Sequence, residues 1–308
     1  MVNMIYTTTF NPSLDYHLHV PQFRLQELNR ADQSSIVAGG KGINVSRVLK
    51  NLGGSSIASG FVAGFTGNYI LQSLEHWGMD HFFMQVDGLT RINIKLNTAG
   101  KETEIAGVSP TISTEQWNEL VQMYQSLQSH DILVLSGSLP LSLPHNSYSL
   151  IMSQLHPGVK VVVDTSGVAL KDAINYKPWL IKPNHHELSQ LFNQTIANAD
   201  YATYAHLGRL LIDQGVQQVL ISLGGDGALL VTSDGAWIGH VPSGQVHSTV
   251  GAGDSMVAGF VYSYQQGYTL LDQFAYALAC GSATAFSDDL CQKDGVEDLR
   301  KKIIITPL

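Results

Sequence analysis

Cysteine and charge are both in short supply. Only Cys280 and Cys291 occur in 308 residues, at a spacing that matches neither a zinc site nor a redox pair, so no disulfide framework or thiolate metal centre is expected. Charged residues make up 14% of the chain against 44% hydrophobic, which excludes a disordered protein. No basic run stands out and the net charge is -8, so nucleic acid and anionic membrane surfaces are not expected partners. Any phosphate-binding site must therefore be built locally. No apolar stretch approaches the ~18 residues that a membrane span needs. The start MVNMIYTTTF has neither a basic region nor a long apolar one behind it, and a reducing cytoplasm is the expected location.

What the sequence does have is alternation. Its length allows one large α/β domain with an appendage, or two modest domains. Ile132 to Leu135, Val161 to Val163 and Val219 to Ser222 are short apolar runs that read as buried strands. Between them the period is helical: Val45, Val48, Leu49 and Leu52 fall at i, i+3, i+4 and i+7, as do Trp117, Leu120, Val121 and Tyr124, then Tyr148, Ile151, Met152 and Leu155. Strand and helix in alternation predict a mainly parallel sheet covered on both faces. Two stretches depart from this. Leu14, Tyr16, Leu18 and Val20 alternate with Asp15, His17 and His19, and Ile92, Ile94 and Leu96 alternate with Arg91, Asn93 and Lys95. These are two-faced strands, assigned to a small second sheet that projects from the main domain; an ordinary antiparallel edge packed on its own core is the alternative.

Three glycine-rich clusters punctuate the chain. In STVGAGDSMVAGF, Gly251, Ala252 and Gly253 precede a helical pattern carried by Val257, Phe260, Val261 and Tyr264, which puts Asp254 at a helix start. Unpaired backbone N–H groups and the positive dipole end make such a start an anion site, and a carboxylate beside it suggests chemistry. A tight turn with Asp as the cap is the alternative. AGGKGINVSRVL sets Gly40, Lys41 and Asn44 at the mouth of another amphipathic helix; it is not a Walker A loop, and a plain turn with a solvated lysine also satisfies it. ISLGGDGALLV places Gly224, Gly225 and Gly227 between two apolar strands, as a hairpin turn would. WLIKPNHHEL gathers Lys182, Asn184 and Glu187 at a strand's carboxyl end, where open α/β sheets bind ligands. His185 and His186 lack the spacing of a metal pair and are read as surface histidines.

In order and over essentially the whole chain, these segments resemble the ribokinase-like PfkB family of carbohydrate kinases. AGGKGINV is similar to the family's N-terminal sugar-site signature and STVGAGDSMVAG to its C-terminal one, while NPSLD, TRINIKL, SGSLP and IKPNHHEL match further landmarks. The resemblance implies a three-layer α/β/α ribokinase-like domain spanning the chain, with a mainly parallel central sheet. It also implies a small β-sheet lid drawn from about residues 14–38 and 91–107, and a homodimer formed through that lid. It implies ATP as donor and magnesium (Mg2+) as counterion. By position, Asp254 matches the catalytic base and Gly251, Ala252 and Gly253 its anion hole. Asp15, Gly40, Lys41 and Asn44 match sugar-site positions, and Arg91 one that holds the substrate's existing phosphate. Lys182, Asn184, Ser222, Gly224, Gly225, Gly227, Ser248 and Thr249 match nucleotide-site positions, and Glu187 completes an Asn-x-x-Glu pattern tied to the magnesium shell.

Lys41 and Arg91 together point to an acceptor that already carries a phosphate. The subfamilies resembled best are the 1-phosphofructokinases and then the tagatose-6-phosphate kinases, so fructose 1-phosphate is the expected acceptor and tagatose 6-phosphate its competitor. A sensor that binds a sugar phosphate or nucleotide without turnover would be expected to lose Asp254. A nicotinamide-dependent dehydrogenase would need a Gly-x-Gly-x-x-Gly between a first strand and helix, and the N-terminal region has none.

Overall fold

A computed structural model describes residues 4–196 and 200–308. Its strands are β1 (Ile5–Thr9), β2 (Ser13–His19), β3 (Gln33–Gly39), β4 (Ile57–Ala63), β5 (Asp80–Val86), β6 (Arg91–Thr98), β7 (Lys101–Ile105), β8 (Ile132–Ser136), β9 (Lys160–Asp164), β10 (Leu180–Ile181), β11 (Gln218–Ser222), β12 (Ala228–Thr232), β13 (Gly235–His240) and β14 (Ile304–Pro307). The helices are α1 (Lys41–Asn51), α2 (Gly64–His76), α3 (Thr114–Gln125), α4 (Ser147–Met152), α5 (Gly167–Ile174), α6 (His185–Leu191), α7 (Tyr201–Asp213), α8 (Ala252–Gln265), α9 (Leu270–Ala285) and α10 (Lys293–Arg300).

Ten strands form one sheet in the order β14-β13-β12-β11-β10-β9-β8-β1-β4-β5, parallel from β5 through β11 and antiparallel beyond. Successive strand residues point to opposite faces, and both faces are apolar. Leu133, Leu135, Val161, Val163, Val219 and Ile221 enter one core, whereas Ile132, Val134, Val162 and Leu220 enter the other. The first core is covered by α3 to α7 and the second by α1, α8, α9 and α10, which gives the expected three layers.

Local signals explain most helix ends. Ser113 caps α3 by accepting the Gln116 N–H at 3.2 Å, while the Gln116 side chain returns a bond to the Ser113 N–H. The predicted helix through Leu155 is shorter than its periodicity suggests. It stops at Met152, and the chain turns through Ser153 and Gln154 toward Pro157, which cannot continue a helix.

The second sheet has the order β3-β2-β6-β7. Its register puts Leu14, Tyr16 and Leu18 beside Ile92, Ile94 and Leu96 on one face, and Asp15 and His17 beside Asn93 and Lys95 on the other. Leu14 and Ala38 pack against Ile70 and Leu74 of α2, so the base of the apolar face is covered. Farther out, Ile36 is 44%, Ile92 40% and Ile105 54% exposed.

Candidate active site

The carboxyl ends of the central parallel strands and the polar face of the second sheet line one cavity of about 940 Å³. Every residue singled out from the sequence borders it except Ser248. The Ser248 hydroxyl instead accepts the N–H of Val250 at 3.2 Å, a bond local to the loop that leads into α8.

Gly251 precedes α8 with φ 76° and ψ -5°, a left-handed conformation, and a Cβ there would lie 2.6 Å from Leu290 Cδ2. Backbone and packing both require glycine. The turn places Asp254 inside the first helical turn rather than at the cap. The N–H groups of Gly253 and Asp254 have no protein acceptor among the described residues, which leaves an anion-binding helix start beside the carboxylate.

Asp254 is 6% exposed. Asn44 of α1 donates its Nδ2–H to Asp254 Oδ2 at 2.8 Å. Burial pushes the Asp254 carboxyl up to about 6; Asp164 adds to the rise, while Lys41, Asn44 and Lys182 oppose it. A carboxylate poised there suits a general base near neutral pH.

Asp164, the last residue of β9, is fully buried and carries no motif that marks it in the sequence. Lys41 donates to its Oδ1 at 3.1 Å and the Lys182 ammonium lies 3.3 Å from the same atom, while Oδ2 has no partner. Burial works against the Asp164 charge, but the two ammonium groups outweigh it and hold the carboxyl below its ordinary range. Burial likewise disfavours the Lys41 charge, and Asp164, Asp254 and Glu187 overcome it, so its pKa is raised. Lys182 is itself buried, and a Cβ on Gly253 would sit 3.1 Å from its Nζ, which sets this ammonium against the start of α8.

Lys41 and Arg91, which together point to a phosphorylated acceptor, each have protein partners of their own. Arg91 donates through Nε at 3.3 Å and Nη2 at 3.1 Å to the Asn11 carbonyl, and through Nη1 to Asn93 Oδ1 at 3.3 Å. Asp15 Oδ1 accepts from Ser13 Oγ at 2.7 Å and Asn93 Nδ2 at 2.9 Å. Lys95, paired with Glu104 at 2.8 Å, also lines this side of the cavity. Gly40 caps α1, and a Cβ on Gly42 would fall 2.0 Å from the Thr8 carbonyl. The helix bearing Lys41 and Asn44 can therefore lie directly on β1.

Asn184 and Glu187 form a capping box. Asn184 Oδ1 accepts the Glu187 N–H and Glu187 Oε2 accepts the Asn184 N–H, both at 2.8 Å. The Asn-x-x-Glu pattern is thus a helix start as well as a candidate metal position. The His185 and His186 rings lie 3.9 Å apart between centroids, tilted by 40°, and line the same cavity, His186 exposed and His185 half-buried. Ser222 ends β11, bridges to Asn184, and leads through a 3-10 turn at Gly224–Asp226 into antiparallel β12. The third glycine cluster is therefore a hairpin, and its turn borders the cavity.

The sequence profile described as pfkB family carbohydrate kinase matches residues 9–293. The 1-phosphofructokinase of Bacillus subtilis (strain 168) is 45% identical over 306 residues, 99% of this chain and 100% of that one. The D-tagatose-1-phosphate kinase of Bacillus licheniformis is 35% identical over 306 residues, with 99% and 100% covered. Among solved structures, phosphofructokinase-2 from Escherichia coli in complex with substrates and products superposes with a TM-score of 0.90 at 30% identity, covering 97% of this chain and 99% of that one. Profile, relatives and fold agree over nearly the full length, and the chain belongs to the pfkB family of carbohydrate kinases.

Proposed function

We propose that the chain transfers the γ-phosphoryl group of ATP to the 6-hydroxyl of fructose 1-phosphate, giving fructose 1,6-bisphosphate and ADP. The observation that carries this is Asp254: a buried carboxylate, raised to about 6, beside a helix start with free N–H groups. The 1-phosphofructokinase named among the relatives supports the choice of acceptor.

Asp254 takes the proton of the 6-hydroxyl as that oxygen bonds to the γ-phosphorus and the bond from phosphorus to the β,γ-bridging oxygen breaks. Asn44 holds one Asp254 oxygen, which leaves the other for the proton. The free N–H groups of Gly253 and Asp254, set by the Gly251–Gly253 turn, and the Lys182 ammonium meet the charge on the group in transfer, while Ala252 donates its N–H to the Thr249 carbonyl at 3.3 Å. Asp15, Gly40 and Asn44 bind the sugar hydroxyls, and Arg91 anchors the 1-phosphate from the second sheet. Lys41, drawn to Asp164 and Asp254, serves the transferring side as well as the sugar. Asn184, Ser222, Gly224, Gly225, Gly227 and Thr249 form the nucleotide side, with Ser248 supporting the loop.

Among the described residues no three His, Cys, Asp or Glu side chains gather as a ready metal cage. That suits Mg2+, which keeps waters and binds through one or two carboxylates plus substrate phosphates. Glu187 borders the cavity and uses only Oε2 in its cap, so this carboxylate would hold it. When bound, the ion neutralises charge on the β- and γ-phosphate oxygens.

Two identical subunits meeting through the apolar face of the second sheet would complete the lid. No helix among the described residues is long and apolar enough to cross a membrane. The two buried free thiols suit a reducing cytoplasm. The deciding experiment compares specificity constants for fructose 1-phosphate, tagatose 6-phosphate, fructose 6-phosphate and fructose at saturating ATP and magnesium. Fructose 1-phosphate should lead free fructose by orders of magnitude. Preference for free fructose would overturn the phosphate anchor, preference for tagatose 6-phosphate the sugar alone, and a protein inert toward all four would be a sensor.

A further inference from the structure

A second cavity, of about 380 Å³, lies where the chain enters β9, β10 and β11, at the end of the strands opposite the active site. Lys160, Lys177, His130 and His156 line it, and no aspartate or glutamate does. In a chain with a net charge of -8, this is a local excess of positive charge and hydrogen-bond donors.

The donors are also vacant. Neither lysine makes an ion pair or hydrogen bond among the described residues; the Lys160 ammonium rests 5.2 Å from the centroid of the Trp179 ring and 5.3 Å from that of Tyr264. Asp131, next to His130, turns its carboxylate to the N–H groups of Met4 at 3.1 Å and Gln128 at 2.8 Å. His156 accepts the Gly158 N–H on Nδ1 at 3.1 Å, which puts the ring proton on Nε2 as a further donor. Trp179 lines the cavity, and its indole N–H has no acceptor among the described residues, which leaves it open as a donor. His130 and Lys177 hold φ angles of 79° and 53°, a conformation rare for side chains other than glycine and one that gathers at ligand sites.

We propose that this cavity binds a small organic phosphate monoester, with the dianion on Lys160 and Lys177 and the carbon portion against Trp179 and Tyr176. The volume falls near the lower end of the roughly 300–1,000 Å³ typical of small-molecule sites, which suits a short carbon chain rather than a nucleotide. Two lysines and an indole N–H supply the donors for the phosphate oxygens, and two aromatic rings supply the apolar wall.

Isothermal titration of the full chain with glycerol 3-phosphate tests this, with sulfate and glycerol as controls. The active-site cavity also holds cations, so the binding at issue is the component that Lys177→Ala and Lys160→Met remove while ATP binding, measured on the same preparations, stays native. Each substitution should weaken that component by about tenfold or more, as expected for loss of a charge-assisted bond. Identical isotherms for the native chain and the double variant would overturn the proposal. So would sulfate binding as tightly as glycerol 3-phosphate, which would mark an adventitious ion only. Lys177 is exposed, so if Lys160→Met disturbs folding, Lys177→Ala decides the question alone.

Discussion

Asp254, the proposed base, is also a burden on the fold. Its native pKa is raised, so the folded state holds the proton more tightly than the unfolded chain, and this group's contribution to stability falls as pH rises from about 4 toward about 6. Asp254→Asn should therefore raise the melting temperature at pH 7 while lowering kcat by roughly 10²- to 10⁴-fold, with sugar phosphate and ATP still binding. Near-native turnover in that variant would remove Asp254 from the mechanism. In the native enzyme kcat/KM should fall as pH drops below about 6, because the base is then protonated. Asp164 is one cause of the raised value, so Asp164→Asn should move this acid limb to lower pH. It should also cost roughly 3–5 kcal/mol of stability by leaving two ammonium groups short of a partner. An unmoved limb would show that Asp164 does not act on Asp254 electrostatically. Asp254 was legible because glycines announce its helix start. Asp164 was not: it is one acidic residue ending the run Val161 to Val163, and only the packing of β9 between β8 and β10 brings it to Lys41 and Lys182.

Elements carry their own signals where the physics is local. Helical spacing in α1 and α3 and the apolar runs of β8, β9 and β11 are visible because one residue's burial fixes its neighbours'. The extent of α4 was not visible, since a turn ended it before its periodicity did. The Asn-x-x-Glu spacing announces a helix cap as directly as it suggests a metal position, since an amide and a carboxylate three residues apart satisfy each other's backbone N–H at a helix start. The separation of Lys41 from Arg91 arises because Lys41 opens helix α1 on the large sheet while Arg91 opens β6 of the small one, a fact of topology that motifs do not carry. The turn into α8 offers a test at this scale. Gly251→Ala forces a left-handed residue to carry a Cβ and drives that carbon toward Leu290, so about 1–2 kcal/mol of strain is expected in addition to the clash. The helix start should shift and kcat should fall even though no reacting group is removed. Native kcat in a folded Gly251→Ala protein would show that the N–H groups at this turn do not stabilise the transferring group.

At the scale of the whole molecule, the second sheet is the part whose surface is least complete. Its polar face lines the active-site cavity through Asp15, Arg91, Asn93 and Lys95, so a water-excluded site depends on how that sheet is held. Its apolar face is covered by α2 only near Leu14 and Ala38, while Ile36, Ile92 and Ile105 remain 44%, 40% and 54% exposed. A two-fold contact between copies would cover both patches at once with the same residues. The protein should therefore sediment as a dimer at assay concentrations. Ile36→Glu and Ile105→Glu should each shift it toward monomer, since a charge in an apolar contact costs far more there than in water. The monomer should show a raised KM for the sugar phosphate with a smaller change for ATP, because Asp15 and Arg91 stand on the sheet that loses its support and the nucleotide-side loops do not. A native chain that sediments as a monomer would contradict the dimer. A dimer unaffected by both substitutions would place the contact on another surface.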